Sequence, residues 1–118
     1  VGEYQDWLAN RTGARFDVFR GNDGRYYFNL HAANGEIVLS SQGYTTEESA
    51  LSATFSVAEN GIDPARYEVN ASADGGAYFN LKAANGQIIG TSEVYVSTSN
   101  AQRAVDGVIA LLPSVELL

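Results

Sequence analysis

Sliding the chain against itself by 51 positions aligns residues 16–62 with 67–113 without a gap, and 17 of the 47 aligned pairs are identical. The shared positions include Val18/Val69, Asp23/Asp74, Gly24/Gly75, Tyr27/Tyr78, Phe28/Phe79, Asn29/Asn80, Leu30/Leu81, Tyr44/Tyr95 and the Ala-Ala-Asn-Gly blocks at 32–35 and 83–86. Self-similarity at a fixed period marks one supersecondary unit written twice. A unit of about 50 residues with three strands and one helix buries too little apolar surface to be comfortable alone. The doubling therefore reads as a way to complete a core, and 118 residues leave no room for a second independent domain.

Each copy reads as strand, strand, strand, helix. Period-two alternation runs through RFDVFR and RYYFNLHA, a short apolar run through EIVLSS, and a helical pattern follows. Asn22-Asp23-Gly24 and Asp74-Gly75-Gly76 supply turn residues that tolerate positive φ, and Asn34-Gly35 and Asn85-Gly86 carry the strongest short hairpin signal. Thr45 with Glu48 three residues on predicts a capping box for the first helix, which should stop near Asn60-Gly61; Ser97 or Thr98 caps the second, and Pro113 closes it. Ala50, Ala53 and Val57, repeated as Ala101, Ala104 and Val108, are the predicted inward faces. The GIDPAR join is too short and turn-like for a linker between domains.

The expected organisation is α+β: an N-terminal extension at 1–14, repeat 1 at 15–64, repeat 2 at 65–113 and a tail at 114–118. The tandem β-β-β-α repeats are expected to pool their strands into one six-stranded antiparallel sheet with both helices packed on one face.

The blocks YFNLHAANGEIVLSSQGY and YFNLKAANGQIIGTSEVY, each after an Asp-Gly-type turn and before a Ser/Thr-capped helix, resemble the YegP-like family, also called UPF0339 or DUF1508. The resemblance covers residues 15 to about 112. It implies the same β-β-β-α module and the same six-stranded tandem sheet, and it implies no activity, because no biochemical function is established for that family. The chain departs from the family pattern in placing Leu51, Phe55, Ile109, Ala110 and Leu111 where polar or charged helix residues are expected.

Composition narrows the function classes. Fourteen acidic residues against seven basic ones give a formal charge of −7, which opposes phosphate backbones and anionic membranes, so no nucleic acid and no membrane is expected as a partner. No apolar run approaches the roughly 20 residues of a membrane helix. The absence of cysteine removes disulfides, thiolate metal sites and cysteine nucleophiles together. His31 is the single histidine, its equivalent in the repeat is Lys82, and no serine or paired acid is tied to it by spacing. Scattered acids and the lack of a glycine-rich phosphate loop leave no metal or cofactor expectation. The chain is expected to be non-enzymatic, with the cytoplasm the expected location.

Two surfaces remain. Alternation places Phe28, Leu30, Phe79 and Leu81 under the helices and puts Tyr27, Asn29, His31, Tyr78, Asn80 and Lys82 on the other side of the sheet. Tyrosine flanked by amides suits peptide or sugar recognition, because the ring offers contact area and a hydroxyl at small entropic cost. The bland alternative is ordinary cross-strand pairing on a solvated face. Leu51, Phe55, Ile109 and Leu112 form a candidate apolar helix interface, to be covered either by the chain's own ends (Tyr4, Trp7 and Leu8; Val115, Leu117 and Leu118) or by a partner or second copy. The leading expectation is a protein- or peptide-interaction module, a homo-oligomer included. The alternative is a small-molecule or carbohydrate binder on the Tyr/Asn face, with a hydrolase centred on His31 a distant third.

Overall fold

The computed structural model describes residues 14–115, so Tyr4, Trp7, Leu8, Leu117 and Leu118 lie outside the described residues. Strands β1 (Arg15–Arg20), β2 (Tyr26–His31) and β3 (Ile37–Ser40) lead into helix α1 (Glu47–Asn60). A short 3₁₀ turn at Pro64–Arg66 opens the second copy: β4 (Tyr67–Ala71), β5 (Ala77–Lys82), β6 (Ile88–Thr91) and α2 (Thr98–Leu111). All six strands form one antiparallel sheet in the order β1-β2-β3-β6-β5-β4. The third strands of the copies thus meet at the centre, related by a pseudo-twofold axis. Helix α1 packs on β1, β2, β5 and β6, and α2 on β4 and β5.

The four hairpin turns share one geometry. Gly24 donates its N–H to the Gly21 carbonyl while Gly21 donates to Arg25, and the same pair of bonds recurs at 32–36, 72–76 and 83–87. Only the fourth residue of each turn takes positive φ, at Gly24, Gly35, Gly75 and Gly86. The preceding side chain is always Asp or Asn, and its Oδ1 accepts the N–H two residues on: Asp23 from Arg25, Asn34 from Glu36, Asp74 from Gly76, Asn85 from Gln87. This is the three-residue hairpin loop with a left-handed glycine, in which Asn34 and Asn85 brace the turn rather than adopting positive φ themselves.

Both second hairpins carry a bulge at the same place: Leu30 pairs with Leu39 but His31 with Ile37, and Leu81 pairs with Gly90 but Lys82 with Ile88. The extra residues, Val38 and Ile89, consequently turn toward the helices next to Leu39 and Gly90, which fits the short apolar run read through EIVLSS. Beyond β3 and β6 the ladder is finished by side chains. Ser41 Oγ accepts the Phe28 N–H and Ser92 Oγ the Phe79 N–H, each at 2.9 Å.

The core lies between sheet and helices, on Phe28, Leu30, Leu39, Phe79, Leu81, Val57, Val105 and Val108, with Phe16 and Tyr67 edge-on to Phe28 and Phe79. Ala50, Ala53, Val57, Ala101 and Val108 are buried as expected from their spacing, Ala104 is half-buried, and Thr54 joins them with its hydroxyl donating to the Leu51 carbonyl. At the axis the copies interlock through two pairs of equivalent positions. Leu39 covers its own counterpart Gly90, where an added Cβ would stand 2.6 Å from the Leu39 side chain. Gly61 faces its counterpart Leu112, where a Cβ would come within 2.2 Å of Leu112 Cδ1. Tyr67 reaches over the same spot, its hydroxyl donating to the Gly61 carbonyl at 2.8 Å, and burial pushes that hydroxyl's pKa well above the ordinary tyrosine value.

Two expectations are corrected. The first helix is capped by Thr46, whose Oγ1 accepts the Ser49 N–H at 3.1 Å, not by Thr45 with Glu48. Tyr44 is still bridged to Tyr26, so the chain needs one more residue before it can turn. Leu112 is only 3% exposed and sits in the core against Gly61, so it cannot belong to an outer apolar interface.

Gly90→Ala should cost about 1–3 kcal/mol through overpacking. In a Leu39→Ala background the same change should cost under about 0.5 kcal/mol, a non-additivity read by urea unfolding of the four proteins. Thr46→Ala should cost about 1 kcal/mol and Thr45→Ala less than about 0.5 kcal/mol in the same assay.

Candidate functional site

The sheet face away from the helices is set by the strand registers. Its central row runs Asp17, Asn29, Ser40, Thr91, Asn80, Glu68 across all six strands, six polar side chains related in pairs by the pseudo-twofold axis. Arg15, His31 and Ile37 flank the row on one side in copy one, with Phe19 and Tyr27 on the other; the axis places Lys82 and Ile88, and Asn70 and Tyr78, in the reversed order. Tyr27 and Tyr78 therefore share the face but stand at diagonal corners of it. Three strand spacings across and four residues along separate them by about 14 and about 13 Å, or roughly 20 Å in all.

The sequence-selected residues have different surroundings. Tyr27 stacks on Phe19 at 5.8 Å between centroids, and its hydroxyl donates to Asp23, which holds the Asp23 carboxyl below its ordinary range and raises the Tyr27 pKa. Tyr78 pairs across the ladder with Asn70, so no ring from β4 stands where Phe19 stands in copy one. Asn80 is 7% exposed and accepts the Thr91 hydroxyl at 2.9 Å, leaving it little surface to offer; Asn29 keeps more.

His31 and Lys82 occupy equivalent places beside an edge-strand carboxylate. Lys82 Nζ lies 3.2 Å from Glu68 Oε2, and His31 Nε2 lies 3.8 Å from Asp17 Oδ2, each cation-capable group on an inner strand facing a carboxylate on the edge strand. His31 Nδ1–H donates to the Gly35 carbonyl at 3.2 Å, which leaves Nε2 buried and without a hydrogen bond among the described residues. The Lys82 hydrogen bond, then that of Asn70, lowers the Glu68 pKa. At the seam, Ser40, Gln42, Thr91 and Glu93 line a hollow of about 380 Å³ with Ile37. The hydroxyls of its Ser41 and Ser92 are already committed, each accepting a strand N–H and donating to the carbonyl of the next residue.

On the helix side, Phe55 is 46% exposed, and Leu51 and Ile109 are half-buried, Ile109 against the core. Leu51 and Phe55 share one side of α1 as an i, i+4 pair, while Ile109 is on α2. Val115, called on to cover Ile109 and Leu112, packs against the core. Among the described residues no three His, Cys, Asp or Glu side chains are grouped to hold a metal ion, and no helix is long and apolar enough to cross a membrane.

Sheet order, paired bulges and axial Leu/Gly contacts define a tandem βββα protein whose two modules share one core. The chain belongs to the DUF1508 family, described as a domain of unknown function, whose model matches residues 22–68 and again 72–117. It is 41% identical to the UPF0339 protein PA0329 of Pseudomonas aeruginosa over 104 residues, covering 88% of this chain and 94% of that one. It is 39% identical to the UPF0339 protein YegP of Escherichia coli over 95 residues, covering 80% and 86%. The solution NMR structure of the Escherichia coli protein of unknown function yegP superimposes with a TM-score of 0.80 at 37% identity, covering 87% of this chain and 90% of that one. The UPF0339 protein SO3888 of Shewanella oneidensis gives 0.78 at 35%, covering 84% of each.

The Asp17/His31 and Glu68/Lys82 signal was present in the sequence, since 17 and 68, and 31 and 82, are 51 apart. Because Glu68's folded pKa is depressed, the stability it contributes is present above its unfolded pKa and is lost as pH falls through the folded value. Lys82→Ala should therefore lower stability at neutral pH and have a shrinking effect toward about pH 3, measured by urea unfolding across pH. Tyr27→Phe should raise the Asp23 pKa and leave Asp74 where it is, in a carbon-detected NMR titration; Asp74 is held low first by Ser72.

Proposed function

We propose that this protein is a non-enzymatic interaction module that presents the outer sheet face to a protein or an extended peptide. The observation that carries this reading is the diagonal placement of Tyr27 and Tyr78. At roughly 20 Å they are too far apart for one small ligand to touch both, and well matched to a stretch of about six extended residues. Between them lies the centre of the polar row, Asn29, Ser40, Thr91 and Asn80, and the Lys82–Glu68 ion pair and the His31–Asp17 contact stand at the other two corners, where they would fix register and orientation more than raw affinity. The edges β1 and β4 add backbone groups that a strand from a partner can pair with. A sugar-binding reading gains less support, because Thr91, Ser41 and Ser92 spend their hydroxyls on the protein itself. Catalysis at His31 gains none from its neighbours, a backbone carbonyl and a carboxylate.

Parallel peptide and oligosaccharide arrays, probed with the intact protein and with Tyr78→Ala, test the reading. Peptide binding lost in the variant at an unchanged melting temperature supports it. Saccharide binding without peptide binding, or peptide binding indifferent to both Tyr78→Ala and Tyr27→Ala, overturns it.

A further inference from the structure

The repeat allows each site in one half to be compared with its counterpart in the other, and one pair of counterparts has diverged. On the helix side, α2 and the β2–β3 hairpin leave a groove of about 290 Å³ between them. Val38, Ala104 and Leu111 form its walls, Val108 its floor and Tyr95 one end, while Glu36 stands at the rim. Val38, Ala104, Leu111 and Tyr95 are all half-buried, so the groove is largely apolar and, among the described residues, open.

The counterpart positions in the other half are finished differently. Ile89 replaces Val38 and is 7% exposed; Ala53 replaces Ala104 and is 8% exposed. Ser56 and Asn60 replace Gly107 and Leu111 and are bonded to each other, Asn60 Nδ2 donating to the Ser56 carbonyl at 2.9 Å and to Ser56 Oγ at 3.3 Å. Gln87 replaces Glu36. A larger branched side chain and a satisfied polar pair thus occupy one half, where the other has a smaller side chain, a glycine and a leucine.

Gly107 is the telling member. A glycine inside a helix costs about 1 kcal/mol relative to alanine, and among the described residues no atom outside its own helix backbone stands within 4 Å of where its Cβ would be. Among the described residues no contact requires it, and the helix backbone is open at this point. The charge around the groove is negative: after burial, the charges of Glu93 and Glu36 are what push the Tyr95 hydroxyl's pKa up.

We propose that this groove is a docking site for a partner peptide that inserts one or two aliphatic side chains over Gly107 and sets a lysine or arginine against Glu36. The volume is at the lower limit of ligand pockets, about 300 Å³, which suits side chains rather than a larger molecule. The acidic rim selects a basic neighbour and disfavours residues 1–13 of this chain, which carry Glu3 and Asp6 against Arg11. The site is on the opposite side of the sheet from Tyr27 and Tyr78, so it stands or falls independently of the reading above.

The probe is the blocked peptide Gly-Ser-Lys-Leu-Leu-Lys-Ser-Gly, with a control in which both lysines are glutamate, titrated into the labelled full chain by NMR. Saturable shifts at Val38, Gly107 and Leu111 with the lysine peptide are expected, and weaker ones with the control. Gly107→Ser with Leu111→Asn, the residues the other half already carries, should weaken the lysine peptide tenfold or more, the order of one lost aliphatic contact. Glu36→Gln should weaken it up to about fivefold, the upper range for one exposed pair, and should not weaken the glutamate control, whose repulsion from the rim it relieves; this variant decides the matter if the double variant fails to fold. Absence of saturable shifts in the groove, or equal binding of the two peptides, overturns the proposal. So does movement of the same resonances on deleting residues 1–13 or on diluting the protein alone, which would make the occupant the chain's own start or a second copy.

Discussion

The structure depends on two contacts that the pseudo-twofold axis forces each copy to make with its own equivalent. Residues on such an axis meet their counterparts face to face, so two identical leucines would overlap and two glycines would leave a hole. The chain resolves this with one of each: Leu39 over Gly90, and Leu112 over Gly61. The large member comes from copy one in the first pair and from copy two in the second, so neither half is the donor throughout. On this backbone a side chain at Gly90 or Gly61 would collide with Leu39 or Leu112, so the divergence at these positions lets the two modules close on one another.

From that lock the rest follows in order. The copies meet through β3 and β6 at the single register pair Ser40 and Thr91, a thin seam for a six-stranded sheet, so the helices and the axial leucines do much of the joining. The bulges after Leu30 and Leu81 send Val38 and Ile89 inward to meet those helices. The same registers deliver the polar row to the outer face, and the same axis carries the two tyrosines to opposite corners. The geometry that completes the core therefore also spreads the candidate recognition groups over a distance fit for a large partner.

Much of this was legible in the sequence. The period of 51, the Asp/Asn-Gly turns and the small-residue helix faces specify the strands, the helices and the side of the sheet they cover. The capping residue was misplaced by one although the repeat itself marks it, since Thr46 and not Thr45 aligns with Ser97. Leu112 read as surface because helical spacing cannot show that a glycine 51 residues earlier leaves room for it. How far apart the two tyrosines stand was not legible, because alternation assigns a face but says nothing of strand direction across the seam; only the order β3-β6 reverses the second copy. Asn80 lost its surface to Thr91 for the same reason, a cross-strand bond that a single strand's pattern does not contain.

If the halves share one cooperative core, strain at the axis must be felt equally in both. Native-state hydrogen exchange at the Phe28 and Phe79 amides, one in each copy, measures this in protein carrying Gly61→Ala. Equal losses of protection at the two amides are predicted, because both exchange through the same global opening. Loss at one amide with full protection kept at the other would show two separately folding units and contradict the account.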